Sequence, residues 1–354
     1  MSDKPKTVIA MSGGVDSSVA AWLLKEQGHD VAGFFMWKRT FSKKCEAAAA
    51  CCSQADADDA ARVAEAIGIP FHVVNFEREF AGLIDFFCRE YSAGRTPNPC
   101  ILCNDWLKFG KLFDYADRIG AGHVATGHYA RVEHRGGRHL LLRGLDANKD
   151  QSYVLFSLGQ QQLARAIFPD GALTKPEIRR LAASLNLPVK DKPESQEICF
   201  VPDDDYGAFI RDRTPDAVKP GPVLDLDGAV LGEHPGIQFF TIGQRHGLRI
   251  AFGKPMYVVR LDPARNAVIV GPNDALLRRE LEVGQVNWII EPPTGPIRAD
   301  VKIRYKQPAQ PAIVEPLPDG RARVVFDTPV RAVAPGQAGV FYQAEVVAGG
   351  GWIE

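Results

Sequence analysis

Cysteine is scarce in this chain, with seven in 354 residues, and methionine is scarcer at four. So few thiols, odd in number, exclude the disulfide framework of a small secreted domain. Neither sign of charge prevails, since 42 Lys and Arg face 43 Asp and Glu. With no global positive field to hold a polyanion, any contact with nucleic acid has to come from local basic patches. Long apolar runs are missing too: the stretch from Val8 to Met11 stops at Gly13, far short of the roughly 20 residues of a membrane span. The expectation is a cytoplasmic protein with no membrane partner. No internal repeat is present. What remains is 45% hydrophobic and 24% charged, an ordinary globular composition with length for two to three domains of about 150 residues.

The first half alternates strand-like and helical patterns. Strands are expected at Thr7–Met11, Val31–Met36, Phe71–Phe76 and His123–Thr126, and helices at Ser17–Gln27, Asp58–Ile67, Phe80–Tyr91 and Asn104–Ile119. Strands separated by helices pair in parallel, so the fold class is α/β, a doubly wound parallel sheet. Thr174-Lys175-Pro176-Glu177 reads as a capping box opening a helix to about Ala183. Past Pro202 the turns Pro220-Gly221-Pro222, Asp227-Gly228 and Pro235-Gly236 separate short apolar runs, the pattern of a small β-rich domain. Strands at Val301–Tyr305, Ala312–Val314, Ala322–Phe326 and Val340–Val347 suggest a terminal β-barrel. The expected domains are 1–205, 206–275 and 276–354.

Ala10-Met11-Ser12-Gly13-Gly14-Val15-Asp16-Ser17-Ser18 joins the first strand to the first helix. Its glycines bring backbone N–H groups close to an anion, Ser12, Ser17 and Ser18 add hydroxyls, and the helix dipole points its positive end there. The loop has neither the lysine of a Walker A sequence nor a G-x-G-x-x-G spacing. Asp16 beside a phosphate is expected to cap the helix or hold Mg²⁺.

Two thiol segments stand out. Cys100 and Cys103 follow Thr96-Pro97-Asn98-Pro99, a proline-bounded loop ahead of a helix. A thiol in a first helical turn has its thiolate stabilised by the dipole, which makes Cys103 a candidate nucleophile. Cys199, in Glu194-Ser195-Gln196-Glu197-Ile198-Cys199-Phe200, is the second. Cys100 and Cys103 also read as half of a zinc site, although Cys51-Cys52 offers no spacer suited to the other half. Cys88, between Phe87 and Arg89 on an apolar helical face, reads as a buried core thiol.

Taken in order, SGGVDSS, Cys51-Cys52-Ser53, TPNP followed by Cys103-Asn104, TGHYA at 126–130, KDQSYVL at 149–155, Ile198-Cys199-Phe200, FTIGQRHGL at 240–248 and Pro335-Gly336-Gln337 resemble the bacterial tRNA-specific 2-thiouridylase family (MnmA/TrmU). The match runs nearly the whole chain. The resemblance implies a sheet of the PP-loop ATP pyrophosphatase type. It also implies adenylation of the C2 oxygen of a wobble uridine in tRNA, then replacement of AMP by sulfur from a cysteine persulfide.

Carried onto matching positions, the resemblance makes Cys199 the persulfide carrier and Cys103 its partner thiol, joined as a transient disulfide after transfer. It places ATP at Ala10, Met11, Ser12, Gly13, Gly14, Val15, Asp16, Ser17, Met36 and Gly127, and the target base at Asn98, Pro99 and Cys100. It assigns tRNA contacts to His128, Lys149, Asp150, Gln151, Arg304, Tyr305 and Gln337. ATP with Mg²⁺ is the implied cofactor set. The partners are tRNA and a persulfide sulfur-donor protein such as a cysteine desulfurase or relay protein.

One position departs from the family: Cys100 stands where an Asp is usual, which leaves the proton-transfer role there unassigned. A Cys-x-x-Cys with Cys199 raises the alternative of an iron-sulfur cluster on Cys100, Cys103 and Cys199. Lys302, Arg304 and Lys306 alternate with Val301, Ile303 and Tyr305, so a continuous strand turns three cations to one face, suited to phosphates. Arg245, His246 and Arg249 offer a second basic contact. The cysteines at 45, 51 and 52 read as substrate-adjacent. Two rival readings are a non-catalytic RNA-binding protein on a nucleotide fold, and an adenylating ligase needing neither Cys103 nor Cys199.

Overall fold

The computed structural model describes residues 4–38, 54–194, 198–201, 205–248 and 253–354. The Cys45, Cys51 and Cys52 readings and Arg249 lie outside the described residues. The chain forms two compact units: Met1–Gly82 with Cys100–Phe200 and Glu345–Val347, and Leu83–Pro99 with Val201–Ala344 and Ala348–Glu354.

The first unit is built on a five-stranded parallel sheet of order β3-β2-β1-β4-β7, with β1 Lys6–Ala10, β2 Asp30–Trp37, β3 Phe71–Asn75, β4 His123–Thr126 and β7 Ala166–Ile167. Side chains alternate across it. Ile9 and Phe35 join the core formed with α1 (Val15–Glu26), α2 (Gln54–Ile67) and α7 (Lys175–Ser184). Phe34 faces the other way, 5.7 Å edge-on from Tyr115 of α5 (Leu112–Arg118). Helices therefore cover both faces. An antiparallel hairpin, β5 (Ala130–Arg135) with β6 (Arg138–Arg143), and the short α6 (Gln160–Leu163) complete the middle of this unit; neither is expected from the sequence.

After β1 the chain steps to β2 and β3 on one side, then returns to place β4 on the other side of β1. The carboxyl ends of β1 and β4 thus flank the point where strand order reverses, the place where open α/β sheets bind ligands.

The helix expected at Asn104–Ile119 is broken into two parts and is preceded by a further short helix. Following α3 (Glu77–Ser92), α4 spans Pro99–Leu102, the backbone runs as a π-helix over Cys103–Lys111, and α5 follows. Phe109 leaves helical geometry at φ −113°, ψ 15°. Its carbonyl accepts from Gln162 Nε2 at 2.7 Å, so the irregular turn is held by an outside donor.

The second unit contains α8 (Tyr206–Arg213) and a four-stranded sheet, β10-β11-β8-β9, of Tyr257–Asp262, Ala267–Gly271, Gly221–Leu224 and Val230–His234. It also contains a six-stranded barrel in the order β12 (Leu277–Trp288), β15 (Arg321–Arg331), β14 (Gln310–Leu317), β13 (Ile297–Lys302), β16 (Ala338–Gln343), β17 (Val346–Ile353), closed by β17 pairing with β12. The single strand expected at Val340–Val347 is two strands, turned at Ala344 with φ 52°. Val301 and Ile303 point into the barrel core as the alternation requires. β13 nonetheless ends at Lys302, so Arg304 and Lys306 lie in the following turn and the continuous three-cation strand does not form.

Candidate active site

The loop between β1 and α1 carries the site. Gly13 has φ 74°, and a Cβ there would collide with the Asp56 carbonyl at the start of α2, so glycine is required on both counts. Gly14 is the N-cap of α1 and provides no side-chain cap, leaving the first-turn amides without one. Within the loop Ser17 Oγ accepts from the Ser12 N–H at 3.1 Å and donates to the Gly14 carbonyl at 3.2 Å. Ser18 is fully buried and donates to that carbonyl at 2.8 Å, so its hydroxyl braces the loop instead of lining it.

Asp16 neither caps the helix nor points away. Its Oδ1 accepts from Lys175 Nζ at 2.6 Å and from the Tyr129 hydroxyl at 2.8 Å. Lys175 also pairs with Glu194 at 3.1 Å, and Glu194 with Lys149 at 2.6 Å. These hydrogen bonds, from Lys149 and then Lys175, hold the Glu194 carboxyl below its usual range. Beneath them Asp170 is fully buried with neither carboxyl oxygen hydrogen-bonded. Burial, then the charge of Asp16, pushes its pKa well above the ordinary carboxylate value, against the pull of Lys175.

Gly127, one residue past β4, closes the other side. A Cβ on it would stand 2.8 Å from the Ser17 nitrogen and 3.0 Å from Asp170 Oδ2. Ala10–Ser17 and Gly127 are thus brought together, while Met36 is buried near the end of β2. A recess of about 320 Å³ near Lys25, His29 and Pro70 lies toward the opposite strand ends and has no part in this chemistry.

The helix-first-turn position expected for Cys103 belongs to Cys100. The helix begins at Pro99, and Cys103 opens the π-helical stretch one turn later. Cys100 is exposed to solvent. Desolvation, then Cys103 beside it, raises its thiol above the ordinary value, opposed by Lys108 and Lys38. Lys38 Nζ lies 5.2 Å from the ring centre of Phe80, and Phe80 meets Phe200 edge-on at 5.6 Å. Phe200, buried and next to the exposed Cys199, anchors that segment in the same region as Cys100. Upstream, Lys192 binds Asp56 and Asp59 of α2 at 2.6 Å each, and Arg179 binds the carbonyls of Lys190 and Lys192. Cys88 is buried and its thiol pushed up to about 11 by burial.

Cys88, Cys100, Cys103 and Cys199 are thiols, not disulfides. Among the described residues no three His, Cys, Asp or Glu side chains converge as a metal requires. Cys100, Cys103 and Cys199 are therefore not gathered into three corners of an iron-sulfur cluster, and that alternative is dropped.

Several residues expected at the tRNA turn inward. His128 is buried, with Nδ1 2.6 Å from Thr126 Oγ1 and Nε2 3.4 Å from Lys108 Nζ; burial, then Lys108, takes its pKa well below the ordinary value. Asp150 is buried and accepts from the amides of Gly144 and Ser152. Gln151 accepts from the Tyr129 amide at 3.0 Å. In the second unit Arg304 donates to the Ile242 and Ala332 carbonyls at 2.8 and 3.0 Å. Tyr305, half-buried, lies under Lys302 with 5.4 Å from ring centre to Nζ. Gln337 Nε2 donates to Thr96 O at 2.9 Å while the Thr96 amide bonds Pro335 O at 2.8 Å, so Pro335-Gly336-Gln337 clamps the loop that leads through Asn98 to Pro99.

Comparison with known proteins decides between these chemistries. Family models described as the tRNA methyl transferase HUP domain, the tRNA methyl transferase PRC-barrel domain and the aminomethyltransferase beta-barrel domain match residues 5–203, 207–272 and 278–353. The chain is 51% identical to the tRNA-specific 2-thiouridylase MnmA of Geotalea uraniireducens, the alignment covering 99% of this chain and 95% of that protein. It is 52% identical to that of Geobacter metallireducens over 99% of this chain and 97% of that one. The chain belongs to the tRNA-specific 2-thiouridylase family.

The methyl-transfer wording of the models and the thiouridylase wording of the relatives describe different reactions, and the thiol segments of this 2-thiouridylase family member accord with the second. Among solved structures, a 4-thiouridine synthetase–RNA complex with bound ATP is 19% identical over 60% of this chain and 51% of that chain, with a TM-score of 0.37. Sequence reading alone misses Tyr129 and Asp170 and takes Lys175 only as the opening of a capped helix. The one signal for Lys175 is negative: the phosphate loop contains no cation of its own.

Proposed function

We propose that the chain converts a wobble uridine of tRNA to 2-thiouridine. ATP adenylates the C2 oxygen at the loop Ser12–Ser17, releasing pyrophosphate. The outer sulfur of a persulfide on Cys199 then attacks C2 and expels AMP, and Cys103 takes the inner sulfur as a disulfide that an external reductant resets. Activation is needed because a carbonyl oxygen leaves poorly and AMP leaves well. The observation that carries the reading is the phosphate loop at the strand-order reversal in the same unit as both thiol segments, with Phe80 and Phe200 fixing the approach of Cys199.

Mg²⁺ enters with the nucleotide. Magnesium needs only one or two carboxylates besides phosphate oxygens and water; Asp16, in the first turn of α1, fits as the protein group that would hold it. Sulfur arrives from a persulfide-donor protein in the cytoplasm. Residues 1–205 carry the chemistry and 206–275 the central β-rich domain, and the barrel at 276–354 contacts tRNA. With no excess of positive charge, tRNA binding rests on local cations such as the exposed Lys306 in the barrel and Arg245 in the central domain. The test is nucleoside mass spectrometry on a strain lacking the gene: loss of wobble 2-thiouridine is expected, and an unchanged nucleoside profile contradicts the reading.

A further inference from the structure

We propose that Lys175 is the catalytic cation of the adenylation step, turning from Asp16 to the polyphosphate of the bound nucleotide. This rests on the adenylation reading above and names a residue that reading does not contain. Nucleotide loops need a positive charge near the leaving phosphates, and this one has no lysine or arginine between Ala10 and Ser18. The fold imports one from 159 positions along the chain, placing its Nζ 2.6 Å from a side chain in the first turn of α1. That turn also leaves its amides without a side-chain cap, an arrangement that favours an anion.

Three features allow the ammonium to move without leaving a broken site behind. Asp16 keeps the Tyr129 hydroxyl, and Glu194 keeps Lys149, so both carboxylates retain a donor. The Lys175 backbone is fixed, its amide donating to Asp146 at 3.0 Å while Glu177 accepts from the Thr174 amide and hydroxyl at 2.7 Å each. Only the side chain has to turn. Asp170, fully buried beneath the loop, has its pKa raised by burial and by the charge of Asp16, which disfavours the carboxylate that would compete with phosphate for the ammonium. In the step itself the C2 oxygen attacks the α-phosphorus and the uridine gives up its N3 proton to solvent water. The α–β bridging P–O bond breaks with its electron pair on the bridging oxygen, and pyrophosphate departs with Lys175 opposite the developing charge.

The experiment measures tRNA-dependent pyrophosphate release from ATP by the full-length protein, alongside titration with inorganic pyrophosphate. K175Q is expected to slow release about 100-fold and to weaken pyrophosphate binding about tenfold, with tRNA affinity unchanged, while K175R keeps both within about tenfold. Release by K175Q within about threefold of wild type overturns the role of Lys175 alone. A wild type that releases no pyrophosphate with tRNA present overturns the adenylation reading and the proposal with it. Should K175Q not fold, the wild type decides: ATP carrying an acyl group on its γ-phosphate acylates the lysine nearest the polyphosphate. Peptide mass spectrometry is expected to find that label on Lys175, and label on other lysines without Lys175 overturns the proposal.

Discussion

Gly127 and Ser17 meet backbone to backbone, with no space for a side chain between the end of β4 and the first turn of α1. Gly127→Ala places its methyl 2.8 Å from the Ser17 nitrogen and 2.9 Å from the carbonyl carbon of Asp16, neither of which can yield without moving the loop. ATP affinity is expected to fall tenfold or more, about 1.4 kcal/mol. Gly122→Ala, which meets no atom within 4 Å, is the control and leaves affinity unchanged. Calorimetric titration with ATP checks both.

The thiols are expected to separate by step. Cys199→Ser and Cys103→Ser each abolish 2-thiouridine, while Cys199→Ser retains tRNA-dependent pyrophosphate release because activation precedes sulfur transfer. Cys100→Ala keeps thiolation within about tenfold, since a thiol raised above its ordinary value is protonated at neutral pH and is a poor nucleophile. Thiolation lost as fully in Cys100→Ala as in Cys199→Ser contradicts the assignment.

Asp170 makes stability depend on pH. Its folded pKa lies well above the unfolded value of 3.8, so as pH rises the unfolded chain gives up this proton first. The contribution of Asp170 to stability is therefore intact below about pH 4 and declines as pH rises toward the folded pKa. Asp170→Asn removes the ionisation. Its melting temperature relative to wild type is expected to improve as pH rises above about 4, and a difference independent of pH contradicts the account.

Arg304 is expected to act on folding. Removing its guanidinium strips a charged donor from the Ile242 and Ala332 carbonyls, a loss of about 1–3 kcal/mol seen as a lower melting temperature. The salt dependence of tRNA binding is unchanged in Arg304→Ala. A slope reduced by about one unit instead marks Arg304 as a phosphate contact.

The sequence makes the α/β layering legible because β1, β2 and β4 are short apolar runs punctuated by glycine, and because Gly13 and Gly127 stand where only backbone fits. The β5–β6 hairpin is less legible: Arg131, Glu133, His134 and Arg135 dilute the alternation that would mark it. The break at Cys103–Lys111 is invisible for another reason, since the sequence there keeps a strong helical pattern and the irregular backbone depends on Gln162, some fifty positions away. Distance along the chain also hides the Asp16–Lys175 pair, which no local motif encodes. Arg304 and Gln337 are expected as tRNA contacts through the family resemblance, and Arg304 also through the cation alternation along an expected strand. Their partners are carbonyls of the same unit, and only the folded chain shows them.

The most direct test incubates the purified protein with ATP, Mg²⁺, a persulfide donor such as a cysteine desulfurase with cysteine, a thiol reductant and unmodified tRNA, and counts products by nucleoside mass spectrometry and nucleotide chromatography. The account predicts one AMP and one pyrophosphate for each 2-thiouridine formed at the wobble position. ATP consumed with no sulfur entering the tRNA contradicts it.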